Sequence, residues 1–88
     1  MRITNPLGLH ARAAARFARL ASSYASQIRV SREARTMDGK SIMGLLLLAA
    51  AHGSDITVSA DGPDEREALA ALTALVRRGF EEPPGACP

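Results

Sequence analysis

The chain has no tryptophan, one tyrosine, two phenylalanines and a single cysteine among its 88 residues. One cysteine cannot form a disulfide within the chain, so cysteine usage gives no sign of an oxidising compartment. The scarcity of aromatic side chains argues against the base-stacking surfaces of RNA-binding proteins. Because 47% of the residues are hydrophobic, one core can form, and it must be built from aliphatic side chains and alanine.

Long apolar stretches are absent too. The run Leu45–Leu48 is far shorter than the roughly 20 residues that cross a bilayer, and no signal peptide is visible at the N-terminus. We therefore expect a cytoplasmic protein that does not enter membranes. A length of 88 residues fits one domain. We place that domain at residues 1–80 and expect the tail at 81–88 to be disordered.

Charge is unevenly distributed along the chain, although the net charge is only +2. Residues 1–40 carry eight basic and two acidic side chains, a net of +6, whereas residues 41–88 carry three basic and seven acidic ones, a net of −4. Arg12, Arg16 and Arg19 recur at i, i+4 and i+7, which places them on one face of a helix. We expect this basic stripe to meet an acidic protein partner, because complementary charge speeds encounter. A merely solvated face is the alternative.

The segment Gly8–Arg12 carries the main chemical signal. A turn that contains Gly8 precedes His10, and an alanine- and arginine-rich helix begins directly afterwards. The N–H groups and the dipole of a helix N-terminus stabilise an anion, here through the backbone of Ala11 and Arg12. The planar guanidinium of Arg12 suits phosphate, and a neutral imidazole nitrogen is a nucleophile toward phosphorus. His10 is therefore a candidate phosphoryl carrier, although a histidine at a helix start is more often only a cap or a solvated side chain.

Alternation and helical periodicity predict the element order β-α-β-β-α-β-α. Strands with one apolar face, together with amphipathic helices, predict an α+β fold in which an antiparallel sheet carries its helices on one face. The pattern alone leaves ferredoxin-like topologies open. The predicted elements are a strand at Met1–Thr4, a helix from Ala11 to Ser23, strands at Gln27–Arg32 and Ala34–Met37, a helix from Ser41 to Ala50 ended by Gly53, a strand at Asp55–Ala60 and a helix that starts at 63–65. The predicted core residues of the first and last helices are Ala14, Phe17, Ala18, Ala21, Leu69, Leu72, Leu75 and Val76.

The short helix after Ser41 is apolar nearly all round. Every residue of the run 42–48 except Gly44 is strongly apolar, yet a helix that lies on a sheet can bury only one face. Leu45 and Leu48 share the face that we expect to point inward. Ser41 is expected to cap this helix, an interaction worth about 1 kcal/mol. The outward residues, which we expect to form a docking site unless the helix is more deeply buried, are Ile42, Met43 and Leu46, with Leu47 beside them.

No metal or cofactor site is predicted. Two histidines and one tail cysteine do not make a metal site, and His52 is expected to be a solvated turn residue. The chain has no glycine-rich nucleotide loop, so it should not bind ATP itself.

Two segments resemble the HPr family, the histidine-containing phosphocarriers of the phosphoenolpyruvate-dependent phosphotransferase system. Asn5–Arg12 is similar to the active-site segment of that family, and Lys40–Gly44 is similar to its regulatory-serine segment. The two segments occur in the right order and at the right distance, and the resemblance runs from about Ile3 to Phe80. One departure is Ala13, because the family usually has proline directly after the active-site arginine.

The resemblance implies an open-faced β-sandwich of four antiparallel strands with three helices on one face. It implies that His10 becomes a phosphohistidine by accepting phosphate from the phosphoenolpyruvate-dependent first enzyme, with Arg12 assisting. The group would pass to phosphoacceptor A domains of sugar permeases or to regulatory equivalents. Ser41 would be a regulatory phosphorylation site served by a serine kinase/phosphorylase of the family's systems. We expect a monomer whose docking residues are Arg16, Arg19, Ile42, Met43 and Leu46.

Two other functions stay open at this point. One is a non-transporting regulatory docking module, in which phosphorylation of Ser41 controls binding and transfer through His10 is weak because of Ala13. The other is nucleic-acid binding through the arginine stripe, against which the scarcity of aromatic side chains counts. Turnover of phosphate on His10 separates the first alternative from a phosphocarrier, and we expect no nucleic-acid partner.

Overall fold

The computed structural model describes residues 1–3, 8–48 and 51–81, so most of the predicted disordered tail lies outside the described residues. The described chain forms α1 (Ala11–Ser22), β1 (Gln27–Arg32), β2 (Arg35–Asp38), α2 (Ile42–Leu47), β3 (Thr57–Asp61), α3 (Glu65–Arg77) and a 3₁₀ turn (Gly79–Glu81). The bounds predicted for α1 and β1 are confirmed to within one residue. Strands β2 and β3 begin one and two residues later than predicted.

The sheet has the strand order β2-β1-β3, with antiparallel pairing on both sides of β1. Strand β1 alternates as predicted, since Ile28 and Val30 are fully buried while Arg29 between them faces solvent. Val30 lies opposite Val58 of β3 and Met37 of β2. One face of the sheet therefore joins the core, and the other is left to polar side chains.

The fourth strand, predicted at Met1–Thr4, is not found among the described residues. Arg2 forms an isolated antiparallel bridge with Asp55, and the N–H of Ile3 donates to the carbonyl of Ser54 at 2.8 Å. One bridge is too short a ladder to extend the sheet, so the described sheet has three strands rather than four. Thr4 lies outside the described residues.

Helices cover the apolar face of the sheet, and the core lies between the two layers. The two phenylalanines, Phe17 of α1 and Phe80 after α3, are among the largest fully buried side chains. The rest of the core is aliphatic, as the composition predicts. The core-facing residues of α1 are the four predicted ones and one more: Ala13, Ala14, Phe17, Ala18 and Ala21.

The prediction for the core face of α3 is wrong at one position. Leu69 is 37% exposed, and Ala68 is buried in its place. The buried residues recur at i, i+4, i+7 and i+8, and Leu69 lies beside that stripe rather than on it. The full set of buried residues in α3 is Ala68, Leu72, Leu75 and Val76.

Helix α2 is shorter than predicted. It ends at Leu47, whereas residue 50, the predicted end, lies outside the described residues. Gly53 was expected to end the helix, but it lies in a later turn, at φ +85°. The carbonyl groups of Leu47 and Leu48 accept hydrogen bonds from the side chains of Arg35 and Arg32 instead. Side chains from the strands therefore take the place of a glycine terminator.

A buried serine ties the start of β1 to the start of α3. Ser26 is fully buried, and its hydroxyl and its backbone N–H both donate to the carboxylate of Asp64. The N–H of Ala25 donates to the same carboxylate at 2.9 Å. These donors hold the pKa of Asp64 below its ordinary value, and the Ser26 hydroxyl contributes most. Gly62 completes the contact, because a Cβ there would lie 2.7 Å from the Cα of Ser26.

Candidate functional site

His10 is the N-cap residue of α1. Its backbone is extended, and its Nδ1 accepts a hydrogen bond from the N–H of Arg12 at 3.2 Å. The turn before it uses Gly8 at φ +66°, and the N–H of His10 donates to the carbonyl of Gly8 at 3.0 Å. The part of the predicted motif at 5–7 lies outside the described residues. The imidazole therefore lies where the sequence predicts it, at the N-terminus of a helix.

The Nδ1 atom faces the free end of the helix backbone. Because it accepts an N–H, it holds a lone pair there, and the neutral ring carries its proton on Nε2. The helical ladder of α1 begins with a bond of 2.8 Å from the N–H of Ala14 to the carbonyl of His10. The N–H groups of Ala11, Arg12 and Ala13 therefore precede that ladder. A group with anionic oxygens on Nδ1 would lie against these donors and the positive end of the helix dipole.

The three arginines of the basic stripe have different surroundings. Arg12 and Arg19 are exposed, whereas Arg16 is half-buried and donates to the carbonyl of Phe80 at 2.6 Å. Phe80 is fully buried and has a φ of +59°. Arg16 and Arg19 border a groove between α1 and α3 that Leu75 also lines. Arg16 therefore holds the C-terminal 3₁₀ turn on α1. The sequence predicted Arg16 as a docking residue and gave no sign of this bond.

The exposed apolar side chains of α2 form a surface that we call the α2 patch, made of Ile42 (45% exposed), Met43 (66%) and Leu47 (54%). The outward direction predicted for Ile42 and Met43 is confirmed. The outward direction predicted for Leu46 is corrected, because Leu46 is partly buried and packs against the core. Leu47, predicted beside these residues, is exposed too, and it shares a helix face with Met43 four residues before it. Helix α1, whose N-cap residue is His10, packs against α2.

Ser41 is the N-cap of α2, as predicted. Its Oγ accepts the N–H of Gly44 at 3.0 Å, and Ser41 itself is partly buried. The ammonium group of the preceding Lys40 donates to the carbonyl of Tyr24 at 2.8 Å. The hydroxyl is thus held at the helix N-terminus, directly before the first residue of the α2 patch.

The described residues can also be compared with the requirements of a metal site and of a membrane-spanning helix. Within residues 1–3, 8–48 and 51–81, no three His, Cys, Asp or Glu side chains lie together as metal ligands would. None of the helices in these ranges has the length and apolar character needed to cross a membrane. His52 lies exposed in the turn after α2, as predicted.

Comparisons with known proteins agree with one another. A family model described as the PTS HPr component phosphorylation site matches residues 1–78. A phosphocarrier protein HPr from Cupriavidus necator is 52% identical over 80 residues, covering 91% of this chain and 90% of that protein. The crystal structure of HPr from Thermoanaerobacter tengcongensis superposes with a TM-score of 0.90 at 42% identity, covering 94% of this chain and 93% of that one. Crh, a catabolite repression protein of Bacillus subtilis solved as a swapped dimer, gives a TM-score of 0.77 at 37% identity, with coverages of 90% and 91%.

Proposed function

The chain belongs to the HPr family of phosphocarrier proteins, and we propose that it carries a phosphoryl group on Nδ1 of His10. It accepts the group from the phosphoenolpyruvate-dependent first enzyme of the phosphotransferase system. It then passes the group to acceptor proteins for sugar uptake or regulation. The observation that carries the proposal is the 3.2 Å contact between Nδ1 and the N–H of Arg12, which aims this nitrogen at the helix N-terminus.

The transfer forms one P–N bond and breaks another. Nδ1 of His10 releases the N–H of Arg12 and uses the freed lone pair to attack the phosphorus of a phosphohistidine on the donor. The attack is in line with the bond to the donor nitrogen, which leaves with the electron pair of that bond. The N–H groups of Ala11 and Arg12 meet the phosphoryl oxygens, and the guanidinium of Arg12 adds a positive charge. Catalysis at this site is positioning and charge stabilisation, and the partner protein supplies the rest.

The partner docks on two neighbouring surfaces. The α2 patch supplies exposed apolar area, which is typical of an interaction site, and Met43 in it adapts to surfaces of different shape. Arg19 supplies an exposed positive charge on α1, and it attracts an acidic partner surface. Arg16 contributes less than its sequence position suggests, because its guanidinium is already bonded to the Phe80 carbonyl.

Ser41 regulates this docking when it is phosphorylated. A phosphate there lies at the N-terminus of α2, where the helix dipole tolerates it. It places a charge of about −1.5 to −2 beside Ile42 and Met43. This charge repels an acidic partner surface. An apolar partner surface would have to remove water from the charge, which costs free energy. Phosphorylation of Ser41 by a serine kinase therefore weakens docking without unfolding the helix.

The test is transfer of ³²P from phosphoenolpyruvate through a purified first enzyme. Wild-type protein should gain an acid-labile label, and His10→Ala should gain none. His52→Ala is the matched control, because the second histidine is exposed and distant in sequence, and it should label like wild type. Label that persists in His10→Ala and disappears in His52→Ala would refute the assignment.

A second function, regulation without transport, is favoured by the similarity to Crh, a catabolite repression protein. In that case the phosphoryl group on His10 is transferred slowly, and the protein acts through partner binding that phosphorylation of Ser41 controls. The two functions separate when labelled protein is mixed with an acceptor A domain. Rapid loss of label supports the carrier, whereas stable label with binding that depends on Ser41 supports the regulatory module.

A further inference from the structure

Helix α2 depends on contacts with the rest of the fold. It has only six residues, which is below the length at which an isolated helix is stable in water. Its N-terminus is capped by Ser41, but its C-cap residue, Leu48, has a φ of −68° and is an ordinary right-handed residue rather than a glycine in a left-handed cap. The N–H of Leu48 donates to the carbonyl groups of Leu45 and Leu46, so among the described residues it is the carbonyl groups of Leu47 and Leu48 that accept bonds from elsewhere in the fold.

Two arginines supply those partners. The guanidinium of Arg35 donates to the carbonyl of Leu47 at 2.9 Å, and that of Arg32 donates to the carbonyl of Leu48 at 3.2 Å. We call Arg32 and Arg35 the arginine pair. They are directly opposite each other in the β1–β2 hairpin, so both side chains leave the same end of that hairpin. Their positive charges also complement the negative end of the α2 dipole.

The two ends of the α2 patch depend on these contacts differently. Ile42 and Met43 follow the Ser41 cap, whereas Leu47 is the residue whose carbonyl Arg35 holds. Leu48 points its side chain into the core, and Leu47 is more than half exposed. The buried side chains of Leu45 and Leu48 anchor the helix on the core, and the hydrogen bond from Arg35 fixes the backbone at its exposed end.

We propose that Arg35, supported by Arg32, is a positioning residue for phosphotransfer: it fixes the angle at which α2 presents the α2 patch to the docking partner. This inference rests on the proposed function. Arg35 itself lies on the strand hairpin and acts through the helix, not on the phosphoryl group. Arginine suits the position because its long stem and planar fork hold a carbonyl with little loss of freedom per bond, whereas lysine is a more flexible point charge.

The experiment compares Arg35→Met with Arg29→Met. Methionine keeps an unbranched apolar stem and removes the donor and the charge. Arg29 is an exposed arginine on the open face of the same hairpin, so its variant loses the same charge without touching α2. Arg35→Lys keeps the positive charge but replaces the planar guanidinium, so its hydrogen bond to the Leu47 carbonyl should be weaker. Each variant is measured for amide hydrogen exchange in α2, for thermal unfolding, and for the kcat and KM of its phosphorylation by the first enzyme.

We expect Arg35→Met to exchange its α2 amides about fivefold faster than wild type, which is the equilibrium effect of one lost net hydrogen bond. Its KM should rise roughly twofold to fivefold at unchanged kcat, because docking is weakened and the chemical step is not. Arg29→Met should match wild type in α2 exchange and in KM. Arg35→Lys should fall between wild type and Arg35→Met.

Two outcomes overturn the inference. A raised KM with unchanged α2 exchange would show that Arg35 contacts the partner directly. Faster α2 exchange with unchanged KM would show that the angle of α2 does not matter for docking. Failure of the proposed function looks different, because wild-type protein would then gain no label at His10 while the exchange measurement would still report on the arginine pair.

Discussion

Ser41 gives the sharpest separation between a structural and a regulatory role. Its Oγ accepts the N–H of Gly44 at 3.0 Å and begins a helix of only six residues. Three substitutions divide its properties. Ser41→Ala removes the cap, Ser41→Asn keeps a capping oxygen without charge, and Ser41→Asp keeps the same shape as asparagine and adds one negative charge.

The stability effects follow from the cap. Loss of an N-cap oxygen costs about 1 kcal/mol, which lowers the Tm of a domain of this size by roughly 4–8 °C. Ser41→Ala should show that loss in a thermal melt followed by circular dichroism. Ser41→Asn and Ser41→Asp should melt close to wild type, because both are capping residues as good as serine. Aspartate also benefits from the positive end of the α2 dipole.

The functional effects follow from the charge. Ser41→Asp places a carboxylate beside Ile42 and Met43, so docking to an acidic or apolar partner surface should weaken. We expect its KM with the first enzyme to rise roughly twofold to fivefold, the effect of an exposed charge worth about 0.5–1 kcal/mol. Ser41→Asn should keep the wild-type KM. Raising the salt concentration should reduce the difference in KM between Ser41→Asp and Ser41→Asn, because salt screens exposed charges.

One result would refute this reasoning. If Ser41→Asp and Ser41→Asn have the same KM at low salt and both melt like wild type, charge at this position does not affect docking. Ser41 would then be a helix cap only. Phosphoserine carries more charge than aspartate, so phosphorylation of Ser41 should inhibit docking to the first enzyme more strongly than Ser41→Asp does. Weaker inhibition by the phosphate would also show that charge at this position does not control docking.

Three further predictions follow from other contacts. Arg12→Ala should slow phosphorylation of His10 with a Tm within a few degrees of wild type, because the Arg12 side chain is exposed; an unchanged rate would show that the backbone N–H groups suffice. Ala13→Pro should change the free energy of unfolding by less than about 1 kcal/mol in urea titrations, because its N–H precedes the helical ladder; a loss of several kcal/mol would mean that the ring does not fit its buried site. Asp64→Asn should destabilise the protein at pH 7 and make its free energy of unfolding less dependent on pH in the acid range. The lowered pKa of Asp64 adds stability that is present above about pH 4 and is lost as the pH falls through the lower folded-state pKa. Urea unfolding from pH 7 to pH 3 checks this, and a wild-type protein without that loss would contradict it.

Features that depend on neighbours within one or two helical turns could be read from the sequence. The glycine turn, His10 as the residue before α1, and Ser41 as the residue before α2 are set by local backbone chemistry. The core face of α1 follows from 3.6-residue periodicity in the same way. The alternation of residues 27–32 likewise predicted a half-buried strand, and Ile28 and Val30 are its buried residues. Each of these predictions needed only the identities of residues close along the chain.

Tertiary structure determined the contacts that join residues far apart in sequence. Arg16 bonds the carbonyl of Phe80 across 64 residues, and Ser26 bonds Asp64 across 38. No periodic pattern encodes such partners. Whether Leu46 or Leu47 faces outward likewise depends on what packs beside a helix that is apolar nearly all round, because both residues are apolar and both lie near the boundary of the buried face.

The end of α2 shows the division most clearly. The sequence alone determined that a helix begins after Ser41, because a serine before an apolar run is sufficient to start one. It did not determine where that helix ends, since the run of leucines and alanines contains no stop signal before Gly53. The folded hairpin decided that point by bringing the guanidinium groups of Arg32 and Arg35 to the Leu48 and Leu47 carbonyls. A helix start is a local contact between a side chain and the backbone, whereas this helix end also uses side-chain donors that the tertiary fold delivers.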